Sequence, residues 1–95
     1  MLKIEIVIDE SLIKELQMIF KQAAIQNYTI IEEVKGVGSS GSKFDNATAP
    51  GKNLLLFAVV ADEQAKNLAN AIRRFKATNP SLGIKAIVSD VKEFI

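Results

Sequence analysis

The chain has 95 residues, with 12 Lys and Arg against 11 Asp and Glu, and it contains no Cys and no His. This length allows one compact domain, and the missing residue types exclude disulfides, thiolate nucleophiles, His-based catalytic triads and Cys- or His-based metal sites. A formal net charge of +1 gives no general attraction to nucleic acid or to an anionic membrane, and a lone Tyr offers no stacking platform for bases. The composition therefore favours binding or regulation over catalysis, and we expect neither a cofactor nor a resident metal.

The first half of the chain predicts a strand, a helix and a second strand. Apolar residues alternate with other residues over positions 2–8, which is the period of a β-strand. Asp9 follows as a candidate helix N-cap, and apolar residues recur at helical spacing through about residue 26. Asn27 breaks this pattern, and residues 28–34 are rich in aromatic and β-branched side chains, which favour a strand.

A long connection follows the second strand. Residues 35–53 hold four of the five Gly, one of the two Pro and a cluster of Ser, Asp, Asn and Thr. We predict a loop of about 17 residues over roughly positions 36–53, and loops of that length are uncommon in compact domains and often carry function.

The second half of the chain repeats the order strand, helix, strand. Residues 54–60 predict a third strand that is apolar on both faces, and Asp62 is a second candidate N-cap. The apolar stripe of the second helix comprises Ala65, Leu68, Ala69, Ile72 and Phe75. Pro80 ends this helix, and Gly83 opens a last strand over residues 84–89.

The early residues and the apolar runs also bear on location. Glu5 and Asp9 interrupt any apolar stretch of the roughly 7–15 residues that a signal peptide needs. The longest apolar run, Leu54 to Ala61, is shorter than the ~20 residues of a spanning helix. We therefore expect a cytoplasmic protein without a membrane span.

The order β-α-β-β-α-β is that of the ferredoxin-like α+β fold, an antiparallel sheet with both helices on one face. The other face should be polar if it met water. Five apolar residues nevertheless alternate with the helix-facing set: Val7, Leu55, Phe57, Val59 and Ile87. Either these residues only fill the edges and ends of the sheet, or the uncovered face binds a partner. We prefer self-association of a single domain spanning residues 1–95.

Residues 36–41, GVGSSG, have the spacing GxGxxG after a predicted strand. In dinucleotide-binding domains such glycines open a helix whose N-terminus holds pyrophosphate. No helical period follows here and the chain is too short for such a domain, so that interpretation is rejected. Two alternatives stay open: a hairpin connection, or a nest of backbone amides beside Lys35 that binds an anion.

Charged residues elsewhere have ordinary structural explanations. Arg73, Arg74 and Lys76 lie near the end of the second helix, where the helix dipole favours cations; an anion or phosphate site is the alternative. Glu32 and Glu33 are adjacent on a predicted strand and should face opposite ways, which argues against a catalytic pair of carboxylates.

Two stretches resemble the P-II family of nitrogen-regulatory signalling proteins. Residues 33–38, Glu-Val-Lys-Gly-Val-Gly, are similar to the Glu-Val-Lys-Gly-Phe-Gly with which that family enters its long T-loop. Residues 56–72 are similar to its third strand and the start of its second helix. The resemblance implies a trimer whose sheets face a central axis. It also implies clefts between subunits that bind ATP, ADP or related nucleotides, and a T-loop that contacts partner proteins.

The chain also departs from the family pattern. The phosphate loop Thr-Gly-x-x-Gly-Asp-Gly-Lys is absent, because residues 77–83 hold a single Gly and the next Lys is Lys85. The family's adenine-contacting Thr corresponds to Ile30, and Thr29 should point to the other face. The loop Tyr that some members have modified is missing, since Tyr28 precedes the loop. The resemblance is therefore to a divergent, short member, in which we expect the trimer and loop-mediated regulation but not conventional ATP binding.

The resemblance also implies ligand-binding residues. These are Lys35, Gly36, Val37 and Gly38 at the loop base, and Gly83 and Lys85 on the opposite wall. We expect a non-enzymatic homotrimer that senses a small anionic ligand or a nucleotide and regulates a partner protein through residues 36–52. The alternative is another ferredoxin-like sensor, such as an ACT-type amino-acid-binding module. An acylphosphatase-like enzyme is disfavoured, because residues 8–11 supply acid where that fold needs an Arg.

Overall fold

The computed structural model describes residues 1–38, 41–43, 52–81 and 83–95. The elements are β1 (Leu2–Asp9), a 3₁₀ turn (Glu10–Leu12), α1 (Ile13–Gln22), β2 (Thr29–Val34), β3 (Gly36–Gly38), β4 (Gly41–Lys43), β5 (Asn53–Val60), α2 (Asp62–Thr78) and β6 (Lys85–Asp90). Four strands form an antiparallel sheet in the order β2-β5-β1-β6, and β3 pairs with β4 in a separate hairpin. The ferredoxin-like α+β fold is thus confirmed.

The hydrophobic core lies between the sheet and the two helices. Its largest fully buried side chains are Phe20, Ile4, Ile6, Ile8, Leu16, Leu56 and Leu68. The strand residues among them recur at every second position and the helix residues at the helical period. The apolar face of the sheet and the apolar faces of the two helices therefore pack against each other in one layer. The rings of Phe20 and Tyr28 pack edge to face, with centroids 5.2 Å apart. Among the described residues, no polar or charged residue is buried in this layer.

Asp9 starts the first helical segment, as predicted. Its carboxylate accepts hydrogen bonds from the Ser11 backbone N–H at 2.9 Å and from the Ser11 hydroxyl at 2.7 Å, and the 3₁₀ turn leads into α1. The helix ends at Gln22 rather than near residue 26. Ala24 takes a positive φ of 60°, which turns the chain so that Ile25 is buried below the helix end and donates its N–H to the Phe20 carbonyl.

The prediction that Asp62 caps the second helix was wrong. The N-cap is Ala61, and Asp62 is the first residue of α2. The Gln64 side-chain oxygen accepts the Ala61 N–H at 3.0 Å, and its amide donates to the Ala24 carbonyl at 3.0 Å. Gln64 therefore satisfies a free amide at the start of α2 and ties it to the end of α1. As predicted, the helix ends just before the Asn79-Pro80 pair.

The end of β2 is irregular. Its register with β5 shifts between Ile31 and Val34, and Glu33 has a φ of 57°. Such a bulge interrupts the regular alternation of side chains from which the orientations of Glu32 and Glu33 were predicted. Both are exposed, and the Glu33 carboxylate lies 3.7 Å from the Lys52 ammonium.

The predicted loop over positions 36–53 begins with regular structure. Gly36 pairs with Lys43, and Gly38 pairs with Gly41. Residues 36–38 and 41–43 are therefore paired antiparallel strands, which fits the hairpin alternative, and the prediction of a loop was wrong for these residues. Residues 39–40 and 44–51 of the predicted loop lie outside the described part of the chain.

Candidate functional site

The face of the sheet opposite the helices is apolar and uncovered in the described part of the chain. Directly opposed residues of antiparallel strands lie on the same face, so the pairing defines rows across the sheet. One row is Ile31, Leu55, Val7 and Lys85, and the next is Thr29, Phe57, Glu5 and Ile87. All five apolar residues predicted for this face lie on it, and Thr29 lies on it while Ile30 faces the helices. Ile31, which was not predicted for this face, is 46% exposed there, and Ile87 is 50% exposed.

Two opposite charges sit in the middle of this face. The Lys3 ammonium lies 3.1 Å from the Glu5 carboxylate and 5.1 Å from the centroid of the Phe57 ring. The side chains of Lys3 and Glu5 are only 38% and 33% exposed. The cation is thus paired with a carboxylate and packed on an aromatic ring, and the central strand adds no net charge to the face.

The predicted ligand residues fall into two groups at one end of the sheet. β2 ends there and leads through Lys35 into the hairpin, whereas Gly83 and Lys85 lead into β6. Because β5 and β1 lie between these two edges, and neighbouring strands are about 4.8 Å apart, the groups are separated by about 14 Å. A single copy of the chain does not bring the two walls together.

The loop base is accessible to a ligand. Lys35 and Gly36 are exposed, and Val37 is 73% exposed. A Cβ added at Gly36 would meet no atom within 4 Å, so this position is open rather than packed. On the other edge, Gly83 and Lys85 are exposed on either side of the buried Ile84.

An open cleft of about 430 Å³ lies beside the loop base, between β1, the 3₁₀ turn and β2. Its charged side chains are the carboxylates of Asp9, Glu10 and Glu32 and the ammonium of Lys52. This balance is unfavourable for a phosphate, so the cleft is not a candidate nucleotide site within one copy. In the described ranges, no group of Asp and Glu residues is arranged to hold a metal ion. No helix within them has the length and apolar content to cross a membrane.

A smaller groove of about 170 Å³ lies between α2 and β6 on the helix side of the sheet. Its apolar lining comprises Ile4, Ala69, Ile72, Ala86 and Val88. Arg73 and Lys76 complete it, while Arg74 points instead into a shallow depression beside Ile19 of α1. The three basic residues are close together in the sequence, but the structure places them on two different surfaces.

Comparison with known proteins identifies the family. The family model described as nitrogen regulatory protein P-II matches residues 1–95. The chain belongs to the P-II family. This confirms the resemblance carried by residues 33–38 and 56–72.

Solved structures of P-II-like proteins share the fold. CPII of Thiomonas intermedia K12, in a structure bound to ADP and bicarbonate, is 20% identical with a TM-score of 0.79, over 95% of this chain and 84% of that chain. A second CPII structure, bound to ADP, AMP and bicarbonate, is also 20% identical, with a TM-score of 0.78 over 95% and 90% of the two chains. A PII-like signalling protein of Thermus thermophilus, TTHA0516, is 26% identical, with a TM-score of 0.72 over 95% and 85%. No curated protein matches the chain.

Proposed function

We propose that this P-II family member is a cytoplasmic, non-enzymatic signalling protein that works as a homotrimer. It binds a nucleotide between subunits and acts on a partner protein through residues 36–52. The observation that carries the proposal is the separation of the predicted ligand residues onto the two opposite edges of one sheet. A ligand that needs both groups requires two copies of the chain.

The uncovered face explains how copies would meet. Burying its apolar side chains removes them from water, which favours association. Three sheets that turn this face toward a common axis form three walls, and cyclic symmetry then places the β2 edge of one copy beside the β6 edge of the next. The last residues of β2 and the first residues of β6 lie at the same end of the sheet. In the trimer, the loop base of one copy therefore meets Gly83 and Lys85 of its neighbour.

The resulting cleft has the chemistry of an anion site. Lys35 of one copy and Lys85 of the next supply two cations, and the backbone amides around Gly36 supply further donors. The CPII structures hold ADP, AMP and bicarbonate, which makes these the first ligands to test. Residues 77–83 lack the family phosphate loop, so we expect AMP or ADP to bind at least as well as ATP.

Subunit mixing tests the composite site. Sedimentation analysis should give the mass of a trimer. ADP or AMP should raise the melting temperature, because a ligand at a hundredfold excess over Kd adds about 2.7 kcal/mol to the free energy of unfolding. Lys35→Gln and Lys85→Gln should each weaken binding, whereas Lys66→Gln, on the exposed side of α2, should not. Trimers mixed from the Lys35→Gln and Lys85→Gln chains retain one interface with both native lysines, so binding should partly recover.

Three results would contradict the proposal. A monomer at all concentrations would remove the assembly, and the absence of any nucleotide effect would remove the ligand. If nucleotide binds but mixing the two variants restores nothing, the two lysines do not act across a subunit boundary.

A further inference from the structure

The groove between α2 and β6 has the properties of a second binding site, distinct from the loop base. Its floor includes core residues, since Ile4 is 0% and Ile72 is 4% exposed. Its outer wall is different, because Val88 of the edge strand is 46% exposed even though it faces the helix side. The helices thus leave part of β6 uncovered, and an apolar groove with a volume of about 170 Å³ remains open beside the core.

The polar side of the groove is positively charged. The Arg73 guanidinium donates to the side-chain oxygen of Asn70 at 2.8 Å, a contact that orients it without neutralising its charge. Lys76 lies in the last turn of α2. Within the described part of the chain neither cation forms an ion pair with a carboxylate. The negative end of the helix dipole corresponds to only about half an elementary charge, so a net positive charge remains at the groove.

We propose that this groove binds a small monocarboxylate of about six carbon atoms with an unbranched apolar tail, a size set by analogy with an engineered cavity of about 150 Å³ that holds benzene. The tail lies on the accessible lining residues Ala69, Ala86 and Val88, above the buried Ile4 and Ile72. The carboxylate accepts hydrogen bonds from the Arg73 guanidinium, which matches it in geometry, and pairs with Lys76. Ligand and groove each have one apolar and one charged end, and this complementarity selects the ligand class.

This site does not depend on the proposed nucleotide function. It lies on the helix side of the sheet, and all of its lining residues belong to one copy of the chain, whereas the nucleotide cleft requires two. Its outer wall is nevertheless formed by β6, the edge that the proposed trimer places beside β2 of the next copy. A nucleotide is too large for a groove of about 170 Å³, and a short anion such as acetate would leave its apolar floor without a contact. The rival occupant is a second copy of the chain, which a mass measurement separates from a carboxylate.

Hexanoate is the probe for the test, with hexanol and acetate as matched controls that lack the charge and the tail. Two-dimensional NMR of the full chain should show hexanoate shifting the amide signals of Ala69, Ile72, Ala86 and Val88. Arg73→Gln and Lys76→Gln should each weaken the affinity about tenfold, as expected for the loss of a charge-assisted hydrogen bond. Arg74→Gln is the matched control, because Arg74 is the next residue on the same helix but lines a different depression.

The outcomes decide the proposal. Hexanoate binding that is about tenfold weaker in Arg73→Gln and unchanged in Arg74→Gln supports it, as does weaker binding of hexanol and acetate. No shift with hexanoate, or equal affinity of the two Arg variants, overturns it. If Arg73→Gln instead lowers the mass of the assembly while hexanoate fails to bind, the groove is a contact between copies and the carboxylate site is refuted.

Discussion

The pair of Lys3 and Glu5 gives the sharpest test of the proposed trimer. Glu5→Gln keeps the size of the side chain and removes its charge, so that Lys3 loses the carboxylate 3.1 Å away. In one copy of the chain the two side chains are 38% and 33% exposed, and pairs of this kind contribute about 0–1 kcal/mol. The free energy of unfolding of a single copy should therefore change little.

In the assembly the same change costs far more, because the face would be buried. Removing one partner of a buried ion pair costs about 3–5 kcal/mol. A trimer contains three such pairs, so its free energy of assembly should weaken by about 9 kcal/mol or more. That corresponds to a change of about six decades in the equilibrium constant between monomer and trimer. Because this constant scales with the square of the protein concentration, the concentration at which half of the trimer dissociates should rise by about a thousandfold.

Sedimentation velocity over a dilution series is the assay. The wild-type chain should sediment as a trimer where Glu5→Gln is monomeric, and the double variant Lys3→Met with Glu5→Gln should reassemble, because no unpaired charge is left. Glu63→Gln, an exposed residue of α2, is the matched control. If wild type and Glu5→Gln dissociate at the same concentration, the face is not buried around this pair and the reasoning fails.

Three further predictions concern the fold and use urea unfolding. Leu68→Ala, at a side chain that is 0% exposed, should lower the free energy of unfolding by about 2–5 kcal/mol; a loss below this range would mean that the core collapses onto the missing side chain. Gln64→Ala removes the hydrogen bonds to Ala61 and Ala24 and should cost about 0.5–2 kcal/mol, whereas an unchanged midpoint would show that water replaces the cap. Gly36→Ala should stay within about 0.5 kcal/mol of wild type, because a Cβ there meets no atom within 4 Å; a larger loss would place that residue in a packed contact.

The sheet strands and helices were predictable because each repeats a burial pattern over many residues. Ile4, Ile6 and Ile8 face one side and Val7 the other, and that alternation needs no knowledge of the partner strands. The predicted ends of the helices were wrong where a single residue or a contact distant in sequence sets the boundary. Ala24 ends α1 through a positive φ, and the cap of α2 comes from Gln64, which also reaches across to α1.

The candidate sites were predictable only in part. The family resemblance implied the loop base and Lys85, but the order of the strands decides that they lie on opposite edges of the sheet, and no local sequence pattern specifies that order. Arg73 and Arg74 show the same limit on a helix. Successive helix residues are rotated by about 100°, so two identical neighbours contribute to different surfaces, and only the packing of α2 on β6 shows which one lines a groove.

The short segment after α2 links these observations. Thr78 and Asn79 both donate side-chain hydrogen bonds to the Phe75 carbonyl, each at 2.9 Å, so their polar groups end the helix where other family members place a phosphate loop. In the proposed trimer, the donors for a phosphate would come from the loop base of one copy and from Lys85 of another. A ligand held by both edges binds only to assembled chains, and by thermodynamic reciprocity it must stabilise the assembly by the same free energy that the assembly adds to its affinity.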